Sequence, residues 1–281
     1  MDIIRDIPPL KEKIKNTKET GKTIGFVPTM GYLHQGHLSL IKAARKECDF
    51  VVVSIYVNPI QFGAGEDFEE YPRDLTRDAQ LSQEVGVDLI FAPSDPAMYP
   101  GGYATFVEVK RLTEGLCGKN RPGHFKGVTT VVTKLFNLVE PHKSYFGQKD
   151  AQQALVLKKM VEDLNMNVEL KIMPTLREPD GLAMSSRNSY LSPEEREAGQ
   201  ALFKSLSRAE KMIVQGIRES KEIIFHMREI LHKEDLLDIE YIEIVDTKNL
   251  ERIGKLQGEV LIALAARVGK TRLIDNIMVE V

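Results

Sequence analysis

Residues 23–37 read Thr23-Ile24-Gly25-Phe26-Val27-Pro28-Thr29-Met30-Gly31-Tyr32-Leu33-His34-Gln35-Gly36-His37. The apolar run 23–27 predicts a buried strand and 30–36 a turn with two glycines. Residues 37–48 (HLSLIKAARKEC) predict a helix with Leu38, Ile41, Ala44 and Arg45 along one face. That order aims a helix N-terminus at whatever occupies the loop, and such an end attracts anions through its N–H groups and the helix dipole. His34 and His37 stand three residues apart and can add imidazole donors. A zinc pair would need a third ligand, which no HExxH motif or nearby cysteine supplies. Two imidazoles merely hydrogen-bonded near a turn are a second reading. The third, a phosphate cradle, is favoured by the glycines and by placement at a helix start.

Outward from this stretch, strand-like runs at 23–27, 50–57, 88–92, 143–146 and 168–173 alternate with helix-like runs at 8–19, 37–48, 74–85, 126–139 and 150–164. Alternation of this kind implies an α/β fold, a Rossmann-like parallel sheet with helices on both faces. Residues 50–57 are apolar without alternation, as a central strand covered on both sides requires. Past about residue 175 the pattern changes. Ser192-Pro193-Glu194-Glu195 reads as a capping box that opens a helix through about Gly216, and 219–232 reads as another. Strands follow at 238–245, 259–267 and 271–280, the last two joined by a turn at Val268-Gly269-Lys270. The chain therefore divides into a domain over 1–175 and a smaller C-terminal α+β domain with antiparallel strands over 176–281, which carries the Met184–Arg187 segment.

Composition bounds the function. With 281 residues and 42% hydrophobic content the chain can build a substantial core. A formal charge of −3 leaves no global basic field for nucleic acid, so anion affinity must be local. Cys48 and Cys117 are too few for a disulfide framework and fit a reducing, cytoplasmic setting. The first twenty residues are charged throughout, and the longest apolar runs fall far short of a membrane span, so no membrane partner is expected.

In an open parallel sheet, ligands bind beyond the carboxyl ends of the strands. Three further segments carry chemistry. Asn58 and Gln61, in Asn58-Pro59-Ile60-Gln61-Phe62-Gly63, can orient a polar organic substrate, although an ordinary Asn-Pro turn reads the same way. In Gly147-Gln148-Lys149-Asp150-Ala151-Gln152-Gln153, Lys149 can meet phosphate as a point charge and Asp150 can cap a helix or accept from a ribose hydroxyl. Gln153 lies one turn in. In Met184-Ser185-Ser186-Arg187-Asn188, two hydroxyls and one forked cation beside a Pro-Asp-Gly turn suit a polyphosphate, and so does a solvated surface loop. No Ser-His-Asp order, GxSxG elbow, Walker loop or GxGxxG fingerprint is present, so hydrolase, P-loop and dehydrogenase readings lack support.

Taken in order, PTMGYLHQGH, VNPIQF, RPGHFKGV, YFGQKDAQQ and MSSRN resemble the pantothenate synthetase (pantoate–β-alanine ligase) family of HxGH nucleotidyltransferases, over nearly the whole chain. The resemblance implies condensation of (R)-pantoate with β-alanine through a pantoyl adenylate, with release of AMP and pyrophosphate. It assigns Met30, Gly31, Tyr32, Leu33, His34, Gln35, Gly36 and His37 to ATP, with both histidines on the phosphates. Gly147, Gln148, Lys149 and Asp150 are implied to contact nucleotide, and Leu176, Met184, Ser185, Ser186 and Arg187 to close over it. Gln61 and Gln153 are implied to hold pantoate by its hydroxyls, with Gln61 also near β-alanine, and Asn58 on the same loop is a further candidate substrate contact. Mg²⁺ is implied with ATP, and a homodimer with the family. Where some members carry an acidic pair near the metal, this chain reads Arg77-Asp78, leaving Asp78 as a weak ligand candidate. The competing readings are another small HxGH nucleotidyltransferase, such as one that adenylylates a phosphate ester, and a nucleotide-binding regulatory module without catalysis.

Overall fold

The computed structural model describes all residues, Met1–Val281. Its elements run β1 (Asp2–Ile4), α1 (Ile7–Glu19), β2 (Ile24–Thr29), α2 (Gln35–Glu47), β3 (Phe50–Ile55), α3 (Leu75–Glu84), β4 (Leu89–Phe91), α4 (Asp95–Met98), α5 (Leu116–Asn120), α6 (His124–Val139), β5 (Lys143–Gly147), α7 (Ala151–Asp163) and β6 (Glu169–Met173). There follow α8 (Pro193–Val214), α9 (Ser220–Leu231), β7 (Leu237–Asp246), β8 (Glu259–Val268) and β9 (Thr271–Glu280). The expected alternation is present. The short edge strand β1 has no signal in the sequence, because three residues, the first of them charged, show no period; it pairs in parallel with β4.

The chain forms two compact units. The first comprises Met1–Lys110, Arg121–Gly147 and Val156–Pro174, and the second Arg111–Asn120, Gln148–Leu155 and Thr175–Val281. The second unit thus takes two short segments that lie, in sequence, within 1–175.

In the first unit six parallel strands stand in the order β1-β4-β3-β2-β5-β6. Strand β2 carries β3 on one side and β5 on the other, so the chain reverses its direction of travel across the sheet there, and ligands gather at such switch points. The β2–β5 ladder ends at Phe26, two residues before Pro28, which has no N–H to continue it. Helix α2 covers the sheet with Leu38, Leu40, Ile41 and Ala44 against Val27, Val51 and Val53. Burial of each large aliphatic side chain here stabilises by about 1.5–3 kcal/mol. Arg45, on the same face, reaches its rim and pairs with Asp88 at 2.7 Å.

In the second unit β7, β8 and β9 form an antiparallel sheet, with β8 central. Helices α8 and α9 share its core through Leu202, Leu206, Met212, Ile223 and Met227 against Ile242, Ile262 and Leu264. The capping box at Ser192 is formed: its backbone N–H reaches Glu195 at 2.9 Å and its hydroxyl accepts from the Glu195 N–H at 3.2 Å. No helix in the chain is long and apolar enough to cross a membrane.

Candidate active site

The helix after β2 begins earlier than its apolar period predicts, at Gln35 instead of His37, because the two histidines cap it. His34 is the N-cap; its Nδ1 accepts from the Gly36 N–H at 3.1 Å, and the His37 Nδ1 accepts from the His34 N–H at 3.3 Å. Gly36 is therefore a helical residue and not part of the turn. The rings lie 4.0 Å apart between centroids. An Nδ1 that accepts carries no hydrogen, so both imidazoles hold their proton on Nε2 when neutral. Each can then donate through Nε2–H.

Beneath the loop lies Asp78 of α3, fully buried. Its Oδ2 accepts from the Tyr32 N–H and its Oδ1 from the Leu33 N–H, both at 2.7 Å. Burial pushes this carboxyl above its usual range, and the two N–H bonds and Arg77 at 3.6 Å work against that shift. The Arg77 guanidinium also lies 5.0 Å from the Tyr32 ring centre. The turn needs the left-handed region at Gly31, φ +85°, and a Cβ there would meet Asp78 at 3.0 Å and Ile55 at 2.9 Å. With the Gly31 N–H on Thr29 Oγ1 at 3.1 Å, the amides of Gly31, Tyr32, Leu33, His34 and Gly36 are all satisfied within the protein. Of the loop amides from which an anion cradle is expected, these five are engaged within the protein.

The 58–61 segment is a 3-10 turn after β3. Asn58 is buried behind Gln61: its Nδ2 donates to Gln61 Oε1 at 3.0 Å and to the Gly127 carbonyl at 3.2 Å, and its Oδ1 accepts from the Tyr99 hydroxyl at 2.7 Å. The Gln61 Nε2 in turn points to Met30 Sδ at 3.1 Å. The structure brings Met30, Asn58 and Gln61 together, with Asn58 orienting Gln61. Helix α6 supplies the backing. His124 Nδ1 lies 2.8 Å from the Gln61 carbonyl, and Gly127 lets the helix touch the turn, since a Cβ there would sit 2.4 Å from the Ile60 carbonyl oxygen. Arg121 closes the arrangement with two bonds to Glu66, whose half-buried carboxyl is raised by burial but held below its usual value overall by that guanidinium.

In the second unit, residues 148–150 form a 3-10 turn ahead of α7. Lys149 is largely shielded and lies 3.8 Å from half-exposed Asp150. Gln153 is half-buried, whereas its neighbour Gln152 is buried and structural: it accepts from the Cys117 N–H at 2.9 Å and donates to the Leu112 and Gly115 carbonyls. The segment around 184–188 leaves a short bridge between Arg177 and Ala183, with the Met184 N–H on the Leu176 carbonyl at 3.0 Å. Ser185 caps the 3-10 turn Ser186–Tyr190, its hydroxyl accepting from the Arg187 N–H at 3.3 Å. Asn188 fixes the base through Glu178 at 2.7 Å and the Ala183 carbonyl at 3.1 Å, and Arg196 pairs with Glu178 and with Asp180.

No group of three or more His, Cys, Asp or Glu side chains gathers to hold a metal ion. Asp78, the candidate ligand, faces two amides with both oxygens and does not fit that role. Among the supports behind the site, Tyr99 and the part that Asp78 plays beneath the loop carry no signal in the sequence. His124 stands in the stretch Arg121–Phe125, whose cationic and aromatic groups suit a structural role, and Gly127 follows it in the RPGHFKGV block.

The site thus sets an imidazole pair at the switch point of a parallel α/β sheet and a buried amide pair one strand away, the architecture of an α/β protein with its candidate site at the strand ends. Comparison with known proteins narrows the class. Residues 2–278 match the family described as pantoate-beta-alanine ligase. The chain is 56% identical over 281 residues to the pantothenate synthetase of Acetivibrio thermocellus and 57% to that of Heliobacterium modesticaldum, covering all of each protein. It superposes on a crystal structure of pantothenate synthetase from Thermus thermophilus with a TM-score of 0.94 at 45% identity, covering 99% of both chains. A Francisella tularensis pantoate-beta-alanine ligase, complexed with beta-gamma ATP and beta-alanine, gives a TM-score of 0.80 at 36% identity over 99% of this chain and 97% of that one. The chain belongs to the pantoate-beta-alanine ligase family. The alternatives of a different small HxGH transferase and of a non-catalytic module fall to this full-length match.

Proposed function

We propose that this ligase, an ATP-using enzyme of pantothenate biosynthesis that joins pantoate to β-alanine, works in two steps through an acyl adenylate. A carboxylate is a poor acyl electrophile because it is already anionic. In the first step a carboxylate oxygen of (R)-pantoate attacks the α-phosphorus of ATP, the bond from that phosphorus to its bridging oxygen breaks, and pyrophosphate leaves with the electron pair. In the second, the neutral amine of β-alanine attacks the acyl carbon, the bond to the adenylate oxygen breaks, AMP departs and the amine proton passes to solvent. No covalent enzyme nucleophile is needed, so catalysis consists of positioning and of stabilising developing charge.

The observation that supports this reading most is the mutual capping of His34 and His37, which sets the proton of each ring on Nε2, on a loop fixed by Asp78. We assign these donors to the phosphates during adenylation, together with residues 30–36 that shape the site. Gly147, Gln148, Lys149 and Asp150 are assigned to the same nucleotide, Lys149 on phosphate and Asp150 near the ribose. Leu176 and Met184 to Arg187 are assigned to cover it. Gln61 and Gln153 are assigned to the pantoate hydroxyls, with Asn58 holding Gln61. Mg²⁺ comes with ATP on phosphate oxygens and water, and no side chain of this chain is assigned to it. A cytoplasmic homodimer completes the reading; both cysteines are free thiols, which suits a reducing compartment.

Isotope exchange between pyrophosphate and ATP tests the two-step scheme. Exchange that requires pantoate and proceeds without β-alanine is expected. Exchange only when all three substrates are present would overturn it.

A further inference from the structure

Strand β9 holds two adjacent polar residues that strand periodicity does not explain. Asp275 is almost wholly buried and receives a two-pronged bond from Arg177, Nη1 to Oδ2 at 2.6 Å and Nη2 to Oδ1 at 3.0 Å. Arg177 also donates to the Gly181 carbonyl at 3.1 Å and stacks 4.0 Å from the Phe203 ring centre. Asn276 is buried too. Its Nδ2 donates to the carbonyls of both Gln148 and Lys149 at 2.9 Å, its Oδ1 accepts from Gln148 Nε2 at 3.4 Å, and its N–H meets Asp275 Oδ1 at 2.8 Å. Burial pushes the Asp275 carboxyl up, while Arg177, the Asn276 N–H and Lys149 each favour its charge.

Buried ion pairs are weak assets for stability, and apolar replacements of the same volume are often neutral or better. This one, with its neighbouring amide, ties together three separate stretches of the second unit: 148–149, 177–181 and 275–276. One amide group on two consecutive carbonyls fixes both the location and the direction of the turn that carries Lys149.

We propose that Asp275 and Asn276 are positioning residues for adenylation, holding Lys149 and the segment leading into Met184–Arg187 in place through the Asn276–Gln148/Lys149 and Asp275–Arg177 contacts. The proposal rests on the assignment of Lys149 to phosphate. Misplacement by about 1 Å of a group that acts in the transition state costs up to a hundredfold in rate.

The test is a double-mutant cycle read by pyrophosphate–ATP exchange in the presence of pantoate, with kcat and the KM values for ATP and pantoate measured separately. Asn276→Ala is expected to lower kcat about tenfold or more and to leave the pantoate KM within about twofold. Added to Lys149→Ala, it is expected to cost less than a further twofold or so, because the group it positions is gone. Should Asn276→Ala fail to fold, Asn276→Ser, which keeps a small donor, is read in the same cycle. Equal losses from the Asn276 change with and without Lys149, or no loss in the wild-type background, overturn the proposal. A Lys149→Ala enzyme with wild-type exchange instead overturns the assignment of Lys149, and the positioning role with it.

Discussion

The loop after β2 and the segment from Leu176 to Leu191 are both built from polar residues beside a glycine turn, yet they are held in opposite ways. In the first, a buried carboxylate grips two successive amides from below and the histidines cap one another, so almost every local donor has an internal partner. In the second, the 3-10 turn Ser186–Tyr190 is tied down through side chains, Asn188 on Glu178 and Glu178 on Arg196, and Leu176 stands exposed ahead of it. Donors that must meet developing charge gain from being pre-set. A segment assigned to cover a nucleotide gains from being held by a few side-chain contacts.

The sharpest way to break this contrast is at the pre-set end. His37→Ala is expected to slow pyrophosphate–ATP exchange on the order of a hundredfold or more while changing ATP affinity only a few-fold. Equal losses in both would make the imidazole a ground-state binder. Asp78→Asn comes next, since an amide can accept only one of the two N–H bonds and sets an NH₂ against the other. About 1–3 kcal/mol of stability should be lost, visible as a lower Tm, together with a roughly tenfold slower exchange. Unchanged exchange would show that the loop does not depend on its buried support.

A smaller effect is expected at the pantoate side. Gln61→Ala should raise the pantoate KM about tenfold with kcat little changed, and Asn58→Ala should reproduce part of that effect, because it acts only by orienting Gln61. If Asn58→Ala exceeded Gln61→Ala, Asn58 would itself contact substrate. The smallest change is dynamic. Amide exchange at Ser186 and Arg187 should slow when ATP binds, while Tyr32 and Leu33 stay equally protected with and without it. Equal protection of both segments in both states would erase the contrast.

What has a period or a punctuation mark is legible in the chain: alternating strands and helices, the Ser192 capping box and the β8–β9 turn all announce themselves locally. Strand β1 does not, because its pairing is decided far along the chain, at Leu89 to Phe91. The start of α2, two residues ahead of its apolar period, is hidden too, since histidine is not among the preferred cap residues and only the bonds from the Gly36 and His34 amides make it one. At the site, the candidate residues are legible because loops at strand ends carry few other obligations. The supports are not, because a buried acid shows its role only once its fold partners are known: Asp78 stands out in the sequence as a metal-ligand candidate and proves to be the carboxylate under the loop, and Asp275 reads as an ordinary surface acid.

The contact between Gly127 and the 60–61 backbone carries one last consequence. With a lone hydrogen as the only spacer, α6 and the 3-10 turn form a hard stop, so any shift of that helix carries the Gln61 amide with it. With Gln61 assigned to the pantoate hydroxyls, their recognition is geared to a whole helix, through a residue that has no side chain to contribute.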